Sequence, residues 1–149
     1  MTHIRDATTT DAEDLASLLE DLGYPTAAPE VVARLAAVEG GGGRTLVLDD
    51  GGRILGLASV TRCVMLHRRR PVAILTALVV RGEVRGRGLG RRLVAEVETV
   101  AREWNCETVE LTSRYGRRDA HDFYRSLGFE SHSRKFAREV TTCSDAIRS

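Results

Sequence analysis

The stretch LVVRGEVRGRGLG at residues 78–90 constrains the fold of this chain more than any other segment. It reads as the end of a buried strand, a glycine-rich turn studded with arginines, and the first turn of a helix. That helix begins near Gly88-Leu89-Gly90, continues with Arg91-Arg92 and has no carboxylate before Glu96. A helix N-terminus carries unpaired N–H groups and partial positive charge, so Asp or Glu usually occupies its first turn. Here guanidinium groups are added instead, which fits a negative charge arriving from outside as a phosphate or pyrophosphate. Glycines at 86, 88 and 90 remove the side chains that would hold such an anion off the backbone. A P-loop is excluded, because no Gly-Lys-Ser or Gly-Lys-Thr occurs. The dinucleotide fingerprint G-x-G-x-x-G fits poorly, since the chain has G-x-G-x-G more than halfway along, with too little sequence after it for that sheet. An ordinary glycine-rich loop with solvated arginines is the other reading.

Charge balance narrows the partners. With 22 basic and 21 acidic residues the net charge is +1, so no overall field draws the chain to nucleic acid or membrane. Only 5% of residues are aromatic, which also argues against a nucleic-acid surface built on Arg68 to Arg70 and the Arg-Gly repeats. No apolar run approaches the roughly 20 residues of a membrane span. The opening MTHIRDATTTDAEDL lacks the apolar core of a signal peptide. Cys63, Cys106 and Cys143 are odd in number and form no C-x-x-C pair, so a cytoplasmic location is expected, with neither a disulfide framework nor a metal site. His3 and His132 have no metal-ligand spacing, and no Gly-x-Ser-x-Gly elbow marks a hydrolase. The length of 149 residues suits one domain, residues 1–149, with 140–149 a frayed tail.

Along the chain, residues 3–5 read as a short first strand, and Thr10 with Glu13 offers a capping box. Leu15, Leu18, Leu19 and Leu22 follow at helical spacing until Gly23 and Pro25. A second helix is expected from Pro29, bearing Val31, Val32, Leu35 and Val38, and residues 40–43 are four glycines that predict a mobile loop. Strands follow at 45–49 and 53–66, joined by Asp50-Gly51-Gly52, then the basic turn His67-Arg68-Arg69-Arg70-Pro71. Residues 72–80, VAILTALVV, suit a central strand covered on both faces. The helix after the glycine turn buries Leu89, Leu93, Val97, Val100 and Trp104, with Arg92–Glu96 and Glu98–Arg102 pairs outside. A strand at 108–113, a helix at 119–127 closed by Gly128, and a final strand or hairpin at 129–138 complete an α+β order with a mixed sheet.

Three segments carry a family resemblance. Arg85 to Gly90 matches R/Q-x-x-G-x-G/A, the pyrophosphate signature of the GNAT family of N-acetyltransferases. ETVELTSRYGRRDAHDFYRSLGFE resembles that family's next strand and its A-x-x-F-Y-x-x-L-G-F signature, and ATTTDAEDLASLLEDLGYP its opening helix. The run RRDAHDFYRSLGFESHSRKFARE is most similar to small-amine acetyltransferases of the aminoalkylphosphonate type. The resemblance implies a mixed, mostly antiparallel sheet of six to seven strands with about four helices on both faces. It implies acetyl-CoA as co-substrate, no metal, and a V-shaped opening between the strand ending at Val80 and the strand at 108–113.

By the same resemblance, Leu78, Val79 and Val80 should pair with the pantetheine arm, and a backbone N–H near Val79 or Val80 should polarise the acetyl carbonyl. Arg85, Gly86, Arg87, Gly88, Leu89, Gly90 and Arg91 should hold the pyrophosphate, with Ser113 and Arg114 beside the arm. Tyr124, spaced with Ala120, Phe123 and Leu127 on one helix face, should protonate the departing thiolate; a core tyrosine bonded to a backbone carbonyl is the structural alternative. Relatives often carry a glutamate about two residues before the LVV, where this chain has Ile74-Leu75-Thr76-Ala77. Their frequent asparagine after the fifth strand is Arg114 here. The base is then water or a residue from another strand. His67 to Arg70 is read as a solvated basic turn or an anion clamp. His121 and Asp122 point apart on a helix and make no catalytic pair.

The implied function is direct acetyl transfer from acetyl-CoA to a primary amine of a small molecule in a ternary complex. A coenzyme sensor without catalysis and a protein lysine or N-terminal acetyltransferase are the alternatives. The family often forms homodimers, and a neutral or anionic acceptor suits this chain better than a polycation.

Overall fold

A nine-residue strand of almost wholly apolar sequence, β4 (Val72–Val80), sits inside the sheet where its composition places it. The computed structural model describes residues 1–113 and 118–141, and contacts divide the chain into units of residues 1–111 and 112–149. In the first unit the elements are β1 (Thr2–Asp6), α1 (Ala12–Leu22), α2 (Ala28–Gly40), β2 (Arg44–Asp50), β3 (Arg53–Cys63), β4, α3 (Leu89–Glu103) and β5 (Thr108–Leu111). The strands lie in that order in one sheet, antiparallel except for the parallel β4–β5 pair that α3 connects. The second unit holds α4 (Arg118–Ser126), closed by Gly128. No described helix is long and apolar enough to cross a membrane.

Both faces of the sheet are covered. Leu15 and Leu18 of α1 and Val31 of α2 pack with Val47, Leu57 and Val79 on one side. On the other, Leu93 of α3 lies 3.1 Å from where a Cβ on Gly56 would stand. Successive strand residues face opposite ways, so Gly56 and Leu57 put the two helical layers on opposite faces. Leu93, Val97 and Val100 are fully buried, each contributing about 1.5–3 kcal/mol. The stripe expected for this helix is therefore its packed face, with Trp104 half-buried at the end.

Several sequence expectations are corrected. The described residues form five strands, not six to seven. Residues 129–138 are irregular, because a strand needs one apolar face and here Phe136 stands 92% exposed among polar neighbours. β5 ends at Leu111 and β3 at Cys63, leaving Val64 and Leu66 exposed at the hairpin tip. Residues 40–43 close a helix instead of forming a loose loop. Gly41 and Gly43 donate N–H bonds to the carbonyls of Ala37 and Val38, and a Cβ on Gly43 would meet Val38 Cγ1 at 2.8 Å. Arg92 turns away from Glu96 to bond Thr2, while Glu98–Arg102 pairs at 3.6 Å as expected.

The capping box lies two residues before its expected place, and an ion network explains why. Thr8 N–H donates to Asp11 Oδ2 at 2.8 Å, and Asp11 N–H donates to the Thr8 carbonyl at 3.0 Å. Asp11 is buried and receives both terminal nitrogens of Arg5 at 2.9 Å, while Arg5 Nε reaches Asp49 at 3.0 Å. The Arg5 hydrogen bond holds the Asp11 carboxyl below its ordinary range. The Gly52 N–H, then Arg5, does the same for Asp49. A lowered carboxylate pKa contributes stability that is complete above about pH 4 and is lost as pH falls through the folded value. Arg5→Met is expected to lower unfolding free energy by about 2–3 kcal/mol at neutral pH, less than the ~3–5 kcal/mol of a fully buried pair. In urea titrations the gap from wild type should be widest above about pH 5 and narrow toward about pH 3. A gap independent of pH would show that the network does not carry this stability.

Candidate active site

The site begins with an irregularity in β4. Ser59 pairs with Ala77 but Val60 pairs with Leu75, so Thr76 is an extra, unpaired residue, and its hydroxyl donates to the Ser59 carbonyl at 3.1 Å. The bulge switches which residues face which neighbour. Before it, the Pro71 carbonyl accepts from Glu107 N–H at 2.9 Å, so the backbone groups of residues 71, 73 and 75 face β5. After it, Arg81 N–H donates to the Leu55 carbonyl at 2.9 Å, so Arg81, Val79 and Ala77 turn their backbone groups to β3. Leu78 and Val80 then present N–H and C=O to the opposite edge. β5 pairs only with Val72 to Leu75, and no described strand covers that edge beyond Leu75. Of the expected contacts, Leu78 and Val80 therefore offer main-chain groups there, while the main chain of Val79 belongs to β3.

The edge runs directly into the glycine turn, which is anchored by a residue the sequence did not single out. Arg81 is buried, with Nε on the Ile54 carbonyl at 2.8 Å and its other nitrogens on Ser17 and Asp14, each at 3.1 Å. Asp14 also accepts from Ile54 N–H at 3.0 Å. In sequence Arg81 looks like one more cradle arginine, and nothing local separates it from Arg85 or Arg87. After Arg81, Gly86 and Gly88 take φ of 85° and 75°, the left-handed region that disfavours any side chain. Gly88 caps α3 without a side-chain hydrogen bond, and no acidic residue lies in the first turn. The first helical bond is Arg92 N–H to the Gly88 carbonyl at 3.1 Å, so the N–H groups of Leu89, Gly90 and Arg91 have no intrahelical acceptor. Arg85, Arg87 and Arg91 are exposed, and none pairs with a described carboxylate; Arg85 Nε lies 3.4 Å from the Val80 carbonyl. Donors and cations are thus gathered at the helix end of the turn, the arrangement on which the expectation of anion binding rests.

A cavity of about 350 Å³ adjoins the bulge between α1, α2 and the sheet, and Thr76 and Ala77 form part of its lining. Leu15, Leu19, Leu35 and Leu57 are among its walls. The described lining residues include no carboxylate or imidazole. The sequence reading named none of these positions as a pocket, because their spacing is that of ordinary core-facing helix residues.

In the second unit, Ala120, Phe123, Tyr124 and Leu127 are half-buried, while Asp122, Arg125 and Ser126 are exposed, as the helical spacing requires. His121 is half-buried too. The Tyr124 ring meets Phe123 and Phe129 edge-on at 5.4 and 5.9 Å, and its carbonyl accepts from Phe129 N–H at 3.0 Å beside Gly128. Ser113 is half-buried two residues past β5, and Arg114 lies outside the described residues. The basic turn is a strap: Arg68 reaches Glu107 at 3.1 Å and Glu110 at 3.3 Å, and the Glu107 bond, then Glu110, raises its pKa. Burial pushes the Cys106 thiol up, away from nucleophile chemistry. Among the described residues no group of three or more His, Cys, Asp or Glu could hold a metal.

Comparison with known proteins agrees with this geometry. The acetyltransferase (GNAT) family profile matches residues 10–129. A curated glucosamine 6-phosphate N-acetyltransferase of Trypanosoma brucei brucei is 32% identical over 138 residues, 87% of this chain and 92% of that protein. An aminoalkylphosphonate N-acetyltransferase of Salmonella typhimurium is 32% identical over 89 residues, covering 60% of this chain but only 58% of that protein. A crystal structure of a Trypanosoma brucei acetyltransferase superimposes with a TM-score of 0.82 at 27% identity, over 94% of this chain and 100% of its own. With a family match across most of its length, joined to an open strand edge and an uncapped arginine-rich helix start, the chain belongs to the GNAT acetyltransferase family.

Proposed function

We propose that the protein transfers the acetyl group of acetyl-CoA to a primary amine of a small molecule by direct attack in a ternary complex. The observation that carries this reading is the continuity of the Leu78–Val80 edge with the uncapped start of α3. A diphosphate on the N–H groups of Gly86 to Arg91 would leave a pantetheine arm free to run along β4 as an added strand. The family match crosses both units, which supports treating residues 1–149 as one functional domain. A cytoplasmic location rests on the cysteine pattern.

In this mechanism the amine nitrogen, deprotonated, attacks the thioester carbon, and the carbonyl electrons move to oxygen. Val80 N–H, directed away from β3, donates to that oxygen as charge develops. Collapse restores the carbonyl, breaks the C–S bond and releases the thiolate, which takes a proton from Tyr124, while the proton shed by the acylated nitrogen passes through solvent to restore the phenol. The tyrosine role comes from its match to the family signature and rests on that alone. The proton lost by the ammonium goes to solvent, since the described cavity lining offers no carboxylate or imidazole. That same lack favours the second reading, a coenzyme sensor. Release of free thiol with any of a panel of amines separates the two.

Calorimetry with acetyl-CoA tests the cradle. Arg87→Glu should weaken binding by about tenfold or more, roughly 1.4 kcal/mol, and an unchanged affinity would remove Arg87 from the site. Tyr124→Phe should lower kcat about a hundredfold with the coenzyme affinity kept. Equal turnover in the two proteins would take Tyr124 out of the chemistry. With no enzyme base, kcat/KM should climb about tenfold per pH unit up to the pKa of the acceptor amine. A plateau set by a group titrating near pH 6–7, the same for amines of different pKa, would reveal a base on the protein.

A further inference from the structure

The cavity beside the bulge carries information about the acceptor that neither the glycine turn nor the helix signature holds. Its walls are mostly aliphatic, with Leu15, Leu19 and Leu22 from α1, Leu35 and Val38 from α2, and Leu57 from β3, and Tyr24 also lines it. The sheet side adds hydroxyls, with Thr45 Oγ1 and Ser59 Oγ 3.4 Å apart and Thr76 donating to the Ser59 carbonyl. One charged side chain, Arg34, is among the described lining residues, and it is already committed. Its guanidinium bonds Glu30 at 3.2 Å, and Thr26 Oγ1 at 3.2 Å.

We infer that this cavity receives the body of the acceptor, and that the acceptor is a primary amine on a compact, uncharged, apolar group, such as an arylalkyl or branched alkyl amine. The placement of the amine rests on the acetyl-transfer reading; the nature of the body does not. A phosphate, phosphonate or second ammonium in this space would give up its water against leucine and valine, and Arg34, the charged side chain among the described lining residues, is shared with Glu30 at the exposed rim. An apolar body gains from the same walls. A volume of about 350 Å³ is near the lower end of small-ligand pockets, which run from about 300 to 1,000 Å³, so the body is small. Orientation follows from the hydroxyls. Thr76 Oγ1 spends its proton on Ser59 and keeps lone pairs to accept from an amine N–H at the end of the cavity where β4 opens. The two curated relatives are named for a phosphonate and a sugar phosphate, so acceptor class is where this chain parts from them.

The test is calorimetric titration of the protein saturated with coenzyme A, and of the protein alone, with phenylethylamine, aminoethylphosphonate and glucosamine 6-phosphate. Thiol release from acetyl-CoA is followed in parallel. Phenylethylamine should bind at least about tenfold more tightly than either anionic amine, and kcat/KM should follow the same order. Leu35→Gln and Leu22→Gln, each checked by its melting curve, should raise its KM several-fold while coenzyme affinity stays fixed. Tighter binding of an anionic amine, no detectable binding of phenylethylamine, or equal effects of the leucine variants on all three amines would overturn the inference. If coenzyme A itself failed to bind, the acetyl-transfer reading would fall, and titration of the protein alone would still decide what the cavity takes.

Discussion

One additional residue in β4 sets the geometry on which the site depends. Had β4 alternated regularly through Thr76, residues 77 and 79 would face the β5 side, as 71, 73 and 75 do before it. The bulge inverts that phase, adds local twist and coincides with the end of the β4–β5 ladder at Leu75. A buried parallel strand normally satisfies its polar groups on both edges, and unpaired ones are costly. Here the last strand residues of β4 pair only with β3; their other edge meets no described strand, and the Val80 carbonyl there accepts from Arg85 Nε. Thr76 also lies within the stretch 74–77, which holds no carboxylate, so the residue that shapes the strand supplies none.

Two ion networks fix the sheet, one of them directly at the end of β4. Arg81 follows the strand directly and is fastened to β3 and α1 through Ile54, Ser17 and Asp14. The glycine turn therefore departs from a fixed point, and its left-handed residues bend from there to α3. On the far side of the sheet order, Arg5 locks β1 to β2 and to the turn before α1 through Asp49 and Asp11. Both networks bury charge, which is costly unless every partner is present. Their value is specificity of placement. A leucine in place of Arg81 could pack, yet it could not reach a carbonyl, a hydroxyl and a carboxylate at once.

The strand, glycine turn and α3 were legible because three independent signals coincide there: an apolar run, glycines at alternate positions, and a helix start with cations in place of acids. The α4 face was legible from spacing alone. Other features were not, for identifiable physical reasons. The capping box was misplaced because Thr8/Asp11 and Thr10/Glu13 both fit the pattern locally, and the Arg5 side chain on Asp11, a contact that spacing does not report, selects the first. The four glycines looked mobile because composition reports conformational freedom, whereas Gly43 is buried against Val38. The bulge has no sequence signature, since Thr76 suits an ordinary strand. The cavity was hidden because leucines that line a pocket repeat with the same period as leucines that fill a core.

Charge pairing shows where the chain departs from self-sufficiency. Arg5, Arg34, Arg44, Arg53, Arg68, Arg81 and Arg102 each meet a carboxylate, and near-neutral composition makes this easy. Arg85, Arg87 and Arg91 meet none among the described residues, although they crowd the positive end of α3. Like charges beside a helix N-terminus repel it and one another, so this cluster opposes folding. Moving one acidic residue into the first turn would relieve that strain and also fill the place of a bound anion. A ligand that supplies the missing charge stabilises the folded chain in proportion to its saturation. An anion bound at this turn would therefore couple stability to binding, and an acidic cap would remove that coupling.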